Sequence, residues 1–190
     1  MPAKKNVKNN KLKTALQFTK NIFTTGAIAQ TSREVEVEIT KYLDDSKDLI
    51  VVEFGLGHGN ITKEILSKIS KSSKLYSFEV NKEFCDYVAE EIKDERLSII
   101  NDGAENVMTH VKEEVDFFVS SIPITFFSKE KTELILQQSY KALKDQAHFS
   151  QILYSKIHIK KFENVFDEVE VLKTNNFPRG FVHHCLKNQS

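Results

Sequence analysis

The fold of this chain is decided by one stretch of sequence, Leu49-Ile-Val-Val-Glu-Phe-Gly-Leu-Gly-His-Gly59. Its first half is a continuous apolar run, which is typical of a strand buried in a parallel sheet. Its second half has a glycine at every second position: Gly55, Gly57 and Gly59. Glycines at the carboxyl end of a strand let backbone N–H groups approach a ligand closely. The stretch therefore predicts a buried strand, a ligand-binding turn and then a helix.

Strand-like and helix-like segments alternate after this turn. Short apolar runs, separated by segments with helical spacing, predict five strands at residues 49–54, 75–78, 97–100, 115–119 and 148–154. Two further runs, 168–172 and 180–186, are joined by a short loop, which favours hairpin-like pairing. The alternation predicts an α/β fold with a seven-stranded, mostly parallel sheet, helices on both faces and the last strand antiparallel.

Polar side chains stand where three of the predicted helices begin. Thr31 or Ser32 can cap the helix that precedes the first strand, and Asn60 and Asn81 can cap the helices that follow the first two strands.

Acidic residues stand at the carboxyl ends of the first three predicted strands: Glu53, Glu79 and Asp102. These strand ends meet at one edge of a parallel sheet, so the carboxylates converge on one crevice. A carboxylate directly before the first glycine suits a cationic, amine-bearing ligand, whereas it would repel a pyrophosphate. Glu79 stands where an acid can bind ribose hydroxyls, and Asp102 where one can accept a hydrogen bond from an adenine amino group. The alternative for each is an ordinary solvated acid.

The N-terminal segment differs in charge from the rest of the chain. The net charge of the 190 residues is zero, yet the segment up to Arg33 has seven basic residues and no acidic one. Apolar residues recur with helical spacing from Lys11 to Phe23, which predicts a basic amphipathic helix. Such an arm suits an anionic membrane or a nucleic acid, and the alternatives are a lid helix packed on the body and a solvated tail. We divide the chain into this helical arm and its loop, residues 1–33, and one α/β domain, residues 34–190.

The residues at the sheet edge resemble the motifs of class I S-adenosylmethionine-dependent methyltransferases. The resemblance is carried by Glu53 to Gly59, by Glu79 and by Asp102-Gly-Ala104, and it spans about the middle half of the chain. It implies a Rossmann-like sheet with S-adenosylmethionine as the cofactor. It further implies that Glu53 faces the amino group of the cofactor's methionine portion and that the three glycines line that portion. Glu79 would hold the ribose, and Asp102 the adenine N6.

A narrower resemblance links the chain to bacterial phospholipid N-methyltransferases, which convert phosphatidylethanolamine towards phosphatidylcholine. It is carried by Gly26-Ala-Ile-Ala-Gln-Thr-Ser-Arg33, Ser120-Ser-Ile-Pro123, Gln151-Ile-Leu-Tyr154 and Asn176-Phe-Pro178. We add Ser120, at the end of the fourth strand, to the predicted cofactor site. A similarity to ribosomal RNA adenine dimethylases makes RNA the alternative acceptor. Their Asn-Leu-Pro-Tyr motif, however, holds a flipped base with an Asn and an aromatic side chain that this chain lacks.

Three further residues are predicted to contact the substrate. Arg33 and Arg179 would pair with a phosphate, and Tyr154 would contact a phosphate or an ammonium group. An ordinary surface or half-buried role is the alternative for each. His183 and His184 point to opposite faces of a strand, so we expect no metal site. We name no general base, because the sulfonium is already activated and positioning supplies most of the acceleration.

The sequence thus predicts an N-methyltransferase that acts on a phospholipid or aminolipid head group at an anionic membrane surface. An RNA adenine N6 methyltransferase and a non-catalytic nucleotide- or membrane-binding module are the alternatives. No apolar run approaches the roughly 20 residues of a spanning helix, and no secretory signal is recognised. The two cysteines, Cys85 and Cys185, lack metal spacing and fit a reducing compartment. We therefore expect a cytoplasmic protein that is peripheral on the inner membrane face.

Overall fold

A computed structural model describes residues 32–154, 159–175 and 179–189 of the chain. The predicted N-terminal arm lies outside these residues, except for Ser32 and Arg33. The segment 176–178, which carries part of the resemblance to lipid methyltransferases, also lies outside them.

The described residues form one seven-stranded sheet in the order β3-β2-β1-β4-β5-β7-β6. β7 runs antiparallel to both of its neighbours, and the other pairs are parallel. The expected Rossmann-like, mostly parallel sheet with its last strand antiparallel is therefore confirmed. The strands are β1 (Ile50–Phe54), β2 (Lys74–Phe78), β3 (Leu97–Ile100), β4 (Val115–Ser120), β5 (Leu143–Leu153), β6 (Glu168–Lys173) and β7 (Phe181–Leu186).

Helices connect these strands and cover both faces of the sheet. They are α1 (Arg33–Ile39), α2 (Asn60–Lys68), α3 (Lys82–Glu91), α4 (Val107–His110), α5 (Lys129–Ala142) and α6 (Ile159–Glu163), with 3₁₀ turns at Ala104–Asn106 and Ile124–Phe126. Across the part of the chain that the structure describes, no helix has the length and apolar character needed to cross a bilayer.

Side-chain caps explain where several helices begin. The Ser32 hydroxyl accepts a hydrogen bond from Val35 N, and the Asn81 side chain accepts one from Glu83 N, so both predicted caps are confirmed. The predicted cap at Asn60 is wrong, since Asn60 is already the first residue of α2. The capping position is taken by Gly59, whose φ of 81° belongs to the left-handed region. The chain leaves the glycine turn in that conformation, which glycine adopts without steric cost.

The core consists of two apolar layers, one on each face of the sheet. One layer lies under α4, α5 and α6, and it includes four rings packed near one another: Phe54, Phe118, Phe149 and Phe162. The other layer lies under α1 and α2. We call these the α5/α6 face and the α1/α2 face. Adjacent residues of β1 alternate between them, because successive side chains of a strand point to opposite sides.

A buried polar cluster ties α1 to the sheet on the α1/α2 face. His184 Nε2 lies 3.0 Å from Glu38 Oε1, and His184 Nδ1 lies 2.7 Å from Ser150 Oγ. A carboxylate only accepts, so Nε2 carries the hydrogen and Nδ1 accepts from the Ser150 hydroxyl. Burial lowers the pKa of His184 to about 4, and Lys41 adds to this effect. The ring is therefore neutral at pH 7.

The buried, neutral His184 leads to a prediction about how the unfolding free energy depends on pH. The folded pKa of His184 lies below the 6.5 of a free histidine, so its contribution to stability is present above pH 6.5 and is lost as the pH falls towards 4. Between pH 7 and 4.5, the unfolding free energy of the wild type should fall by about 2 kcal/mol more than that of His184→Gln. Urea unfolding at both pH values measures this difference. Parallel pH profiles for the two proteins would refute the burial of a neutral imidazole.

Candidate active site

The glycine turn lies where the strand order of the sheet reverses. β1 pairs with β2 on one side and with β4 on the other, and open α/β sheets bind ligands outside the carboxyl ends of their strands at such a point. Gly55 N donates a hydrogen bond to Phe78 O at 2.9 Å, and Ser121 N donates one to Phe54 O at 2.8 Å. The turn after β1 is thus fastened to the ends of both neighbouring strands.

The three glycines of the turn have different roles. All three have positive φ, at 90° for Gly55, 51° for Gly57 and 81° for Gly59. A Cβ at Gly55 would lie 2.9 Å from Ser121 Oγ, and one at Gly59 would lie 3.2 Å from Val88 Cγ2. A Cβ at Gly57 would meet no atom within 4 Å. Packing therefore favours glycine at the first and third positions, whereas Gly57 borders open space.

Glu53 is a buried acid with one oxygen unused. Its side chain points to the α1/α2 face, where Oε2 accepts hydrogen bonds from Thr62 Oγ1 at 2.8 Å and Ser77 Oγ at 2.6 Å. Oε1 is buried and has no hydrogen-bond partner. Burial raises the pKa of Glu53 to about 7, and the two hydroxyl donors offset only part of this effect. Such a carboxyl group is suited to a cationic donor, which would hold it ionised.

Glu79 follows β2 and reaches the glycine turn. Its Oε2 accepts a hydrogen bond from Gly57 N at 3.3 Å, and its Oε1 accepts one from Asn81 N at 2.8 Å. Burial raises the pKa of Glu79, and its charge adds to the rise at Glu53. The structure thus brings Glu53, the glycines and Glu79 together, as the sequence predicts.

Asp102 follows β3 and is held mainly by its own loop. Oδ1 accepts hydrogen bonds from Gly103 N at 2.7 Å and Asn106 Nδ2 at 2.8 Å, and Oδ2 lies 2.8 Å from His110 Nε2. The hydrogen bond from His110 is the largest cause of the lowered pKa of Asp102. A carboxylate accepts about four hydrogen bonds, so one acceptor position is left for an adenine amino group.

Ser120 ends β4 beside the turn. It is fully buried, its Oγ has no partner, and it lies between Phe54 and Gln151 in the strand pairing. The next residue, Ser121, donates its hydroxyl to Gly55 O at 2.9 Å. The end of β4 is thus part of the same crevice as the glycine turn.

Arg33 is engaged within the protein. Its guanidinium pairs with the carboxylates of Glu64 on α2 and Glu36 on α1. A phosphate would have to compete with both carboxylates for Arg33. The structure therefore does not place Arg33 together with the acids of the sheet edge.

Tyr154 and Arg179 lie at the carboxyl edge of the sheet, beyond the last residue pair of β5 and β7. Leu153 pairs with Phe181, so Tyr154 and the loop before Phe181 leave the sheet side by side. Tyr154 is 42% exposed, and Arg179 is also exposed. Asn175, in the same loop, donates its backbone N–H to Glu34 in the first turn of α1 at 3.1 Å. These elements form the rim of the edge that carries the crevice.

The arrangement offers no obvious place for a metal ion. Among residues 32–154, 159–175 and 179–189, no three His, Cys, Asp or Glu side chains are grouped as metal ligands. His183 and His184 point to opposite faces, and both cysteines are free and buried.

Comparison with known proteins gives one informative sequence match. No profile of a known protein family matches the chain. An ornithine lipid N-methyltransferase from Singulisphaera acidiphila is 25% identical over 143 residues, which cover 72% of this chain and 74% of that protein.

Solved structures share the fold at low sequence identity. The N-methyltransferase NodS from Bradyrhizobium japonicum, in complex with S-adenosyl-L-homocysteine, has a TM-score of 0.73 at 11% identity and covers 87% of this chain and 91% of its own. A precorrin-6y C5,15-methyltransferase from Geobacter metallireducens has a TM-score of 0.71 at 14% identity, and the match covers 85% of this chain and 92% of that protein. An rRNA methylase from Streptococcus thermophilus has a TM-score of 0.65 at 19% identity, and the match covers 85% of this chain and 100% of that protein.

These comparisons confirm the expected methyltransferase class. The fold is that of class I methyltransferases, and the sequence match agrees with the expected S-adenosylmethionine-dependent enzyme and its cofactor. The matched proteins act on different acceptors, so the acceptor has to be argued from the site.

Several residues of the site escape sequence reasoning. Thr62 and Ser77 hold Glu53, His110 and Asn106 hold Asp102, and Gln151 lies beside Ser120. Ser77 leaves a signal in the sequence, as a small polar residue inside an otherwise apolar strand, and Gln151 stands in one of the segments that carry the resemblance to lipid methyltransferases. The other three are brought to the site by helix placement and loop geometry.

We predict that Glu79→Ala weakens S-adenosylmethionine binding by about 1.5–3 kcal/mol, the range for hydrogen bonds to charged groups. Part of this loss arises because the hydrogen bond from Gly57 N to Glu79 Oε2, which holds the glycine turn, is removed as well. Titration calorimetry measures the effect. Glu90→Ala, which removes the same charge from the exposed surface of α3, serves as the control. Unchanged affinity in a folded Glu79→Ala protein would make Glu79 an ordinary surface acid.

Proposed function

We propose that this chain transfers a methyl group from S-adenosylmethionine to an amine nitrogen of a phospholipid or aminolipid head group at a membrane surface. The cofactor contacts, the lipid acceptor and the membrane role of the arm are all parts of this proposal. The class of the reaction rests on the fold and the sequence match, and the site below supports the rest.

The observation that carries the proposal is the unused oxygen of the buried Glu53, which stands two residues before the first glycine of the turn. A buried acceptor without a partner is costly, so a ligand that brings a donor to it gains binding energy. The cofactor's methionine portion carries an ammonium group, which matches that oxygen in both charge and hydrogen bonding. The ribose hydroxyls would reach Glu79, and the adenine amino group would use the remaining acceptor position of Asp102.

The protein's own contribution is mainly positioning. When bound, S-adenosylmethionine supplies an activated methyl group on a sulfonium. The glycine turn and Glu53 fix the methionine end, while Ser120 and Ser121 border the place of the acceptor. Holding the amine in line with the methyl removes most of the entropic barrier. The acceptor nitrogen must arrive unprotonated, and its proton can leave to water at the exposed rim near Tyr154.

A lipid acceptor is favoured over RNA by two observations. The matched relative is an ornithine lipid N-methyltransferase, and the chain has segments similar to those of phospholipid N-methyltransferases. The loop after β4 also lacks an aromatic residue directly after Pro123, where the RNA dimethylases stack a flipped base. RNA stays the second candidate because the matched structures include rRNA methylases.

The acceptor class is tested with methyl-labelled S-adenosylmethionine. Full-length protein is incubated with vesicles that contain phosphatidylethanolamine or an ornithine lipid, and separately with total RNA. We expect label in the lipid and none in RNA. Gly57→Val, whose side chain would fill the open space, serves as the inactive control. If the strained Val unfolds the protein, Gly57→Ala serves as the control instead. Label in RNA alone would overturn the lipid proposal, and no cofactor binding at all would indicate a non-catalytic module.

The basic N-terminal arm leads to a separate prediction about membrane binding. Its lysines would add about 1 kcal/mol each near an anionic surface, and its apolar residues would enter the interface. Deleting residues 1–20 should abolish binding to anionic vesicles while the affinity for S-adenosylmethionine largely survives. Vesicle sedimentation and calorimetry measure the two effects. If the truncated protein binds vesicles as well as the full chain does, the arm has no membrane role.

A further inference from the structure

Three buried polar side chains form a row across the sheet on the α5/α6 face. Ser120 of β4 lies opposite Gln151 of β5, and Gln151 lies opposite His183 of β7. All three residues have 0% exposed surface. Each keeps one buried atom without a hydrogen-bond partner: Ser120 Oγ, Gln151 Oε1 and His183 Nε2. An unsatisfied buried polar atom is costly, so three in one row indicate a ligand that supplies hydrogen-bond partners.

The amide of Gln151 is held in one orientation. Its Nε2 donates hydrogen bonds to Ile122 O at 3.0 Å and to Ile152 O at 2.8 Å. Both partners are carbonyl oxygens, which only accept, so the nitrogen must face them. Oε1 therefore presents its lone pairs, and only a donor can satisfy it.

The ring of His183 also presents an acceptor. Its Nδ1 lies 3.2 Å from Phe181 O, so Nδ1 carries the hydrogen. Burial lowers the pKa of His183, and hydrogen bonds with the backbones of Phe181 and Gln151 oppose part of this effect. With the hydrogen on Nδ1, the neutral ring keeps a lone pair on Nε2, the nitrogen that has no hydrogen-bond partner. Stacking on Phe162, with the ring centroids 5.2 Å apart, fixes the plane of the ring.

The row begins beside the glycine turn, where the proposed function puts the methyl acceptor. Ser121, which follows Ser120, touches the glycine turn, and Ile122 of the same loop receives the amide of Gln151. Neighbouring strands are about 5 Å apart, so one nitrogen can contact both Ser120 and Gln151. His183 lies one strand further and is too far away to contact that same nitrogen.

An apolar pocket continues the row beyond His183. It has a volume of about 170 Å³ and is lined by Ile159, Val171, Lys173, Phe181 and His183. Its walls are mostly hydrocarbon, which suits the first methylene groups of an acyl chain. The polar row thus ends at an apolar pocket on the same face of the sheet, where Val171 of β6 lies opposite His183.

We propose that Gln151, together with Ser120, accepts the N–H groups of the amine that is methylated, and that His183 accepts a second N–H or O–H donor of the same head group. This inference rests on the proposed function and narrows its substrate. The head group would carry a second donor about 5 Å from the amine, as does a diamino acid joined to its acyl chain through an amide. The phosphodiester of phosphatidylethanolamine offers only acceptors beyond its amine, and it would leave His183 unpaired.

The test measures kcat/KM of the full chain on vesicles that contain either an amide-linked acyl-ornithine lipid or phosphatidylethanolamine. We expect the wild type to prefer the amide lipid at least tenfold, because a site built to hydrogen-bond a donor rejects an analogue that lacks it. His183→Phe should lower activity on the amide lipid about tenfold and change activity on phosphatidylethanolamine less than twofold. His183→Gln, which keeps an acceptor, should restore part of the preference.

Gln151→Leu should lower kcat/KM on both lipids at least tenfold and leave the affinity for S-adenosylmethionine unchanged. Gln138→Leu is the matched control, because Gln138 on α5 also has a buried Oε1 without a partner but lies outside the row. Equal wild-type activity on both lipids, or an equal loss on both in His183→Phe, would overturn the inference while the proposed function stands. If the wild type binds S-adenosylmethionine but methylates neither lipid, the proposed lipid function and this inference both fail.

Discussion

A carboxyl group buried at the end of a central strand is the constraint on which this site depends. Glu53 is 1% exposed and has only one of its two oxygens satisfied within the protein. Keeping it ionised in that place costs free energy, which explains why its pKa rises towards neutrality. Two small hydroxyl residues, Thr62 and Ser77, reduce the cost without removing it. What remains is a buried acceptor that a positively charged donor from outside the chain would satisfy.

The strand order decides what else can surround that group. β1 lies between β2 and β4, so the acids of one half of the sheet and the serines of the other meet at the glycine turn. The half with β2 and β3 offers carboxylates, which suit ribose hydroxyls and an adenine amino group. The half with β4, β5 and β7 offers neutral acceptors, which suit an amine that must lose its charge before it reacts. In the proposed function, cofactor and acceptor would thus lie on opposite sides of one switch point.

The sequence predicts the sheet well because its signals are local. Apolar runs followed by glycine or acidic residues mark β1, β2 and β3, and the acids at their ends are found at one edge. The cap at Asn60 is predicted wrongly because the backbone conformation of Gly59 decides the start of α2. Partners such as Thr62 for Glu53, or Gln151 for Ser120, depend on strand register and helix placement, which short motifs do not encode. Arg33 shows the same limit, since its carboxylate partner Glu64 lies on another helix.

The central claim is that Glu53 binds the cofactor's ammonium group as a carboxylate, and calorimetry across pH tests it most directly. With a free-protein pKa of about 7, Glu53 is mostly protonated at pH 6, so the affinity for S-adenosylmethionine should be about tenfold weaker there than at pH 7.5. The upper limit of pH 7.5 keeps the ligand's amino group largely protonated. Glu53→Gln should bind more weakly at pH 7.5 and lose most of this dependence. The same pH dependence in Glu53→Gln as in the wild type would contradict the account.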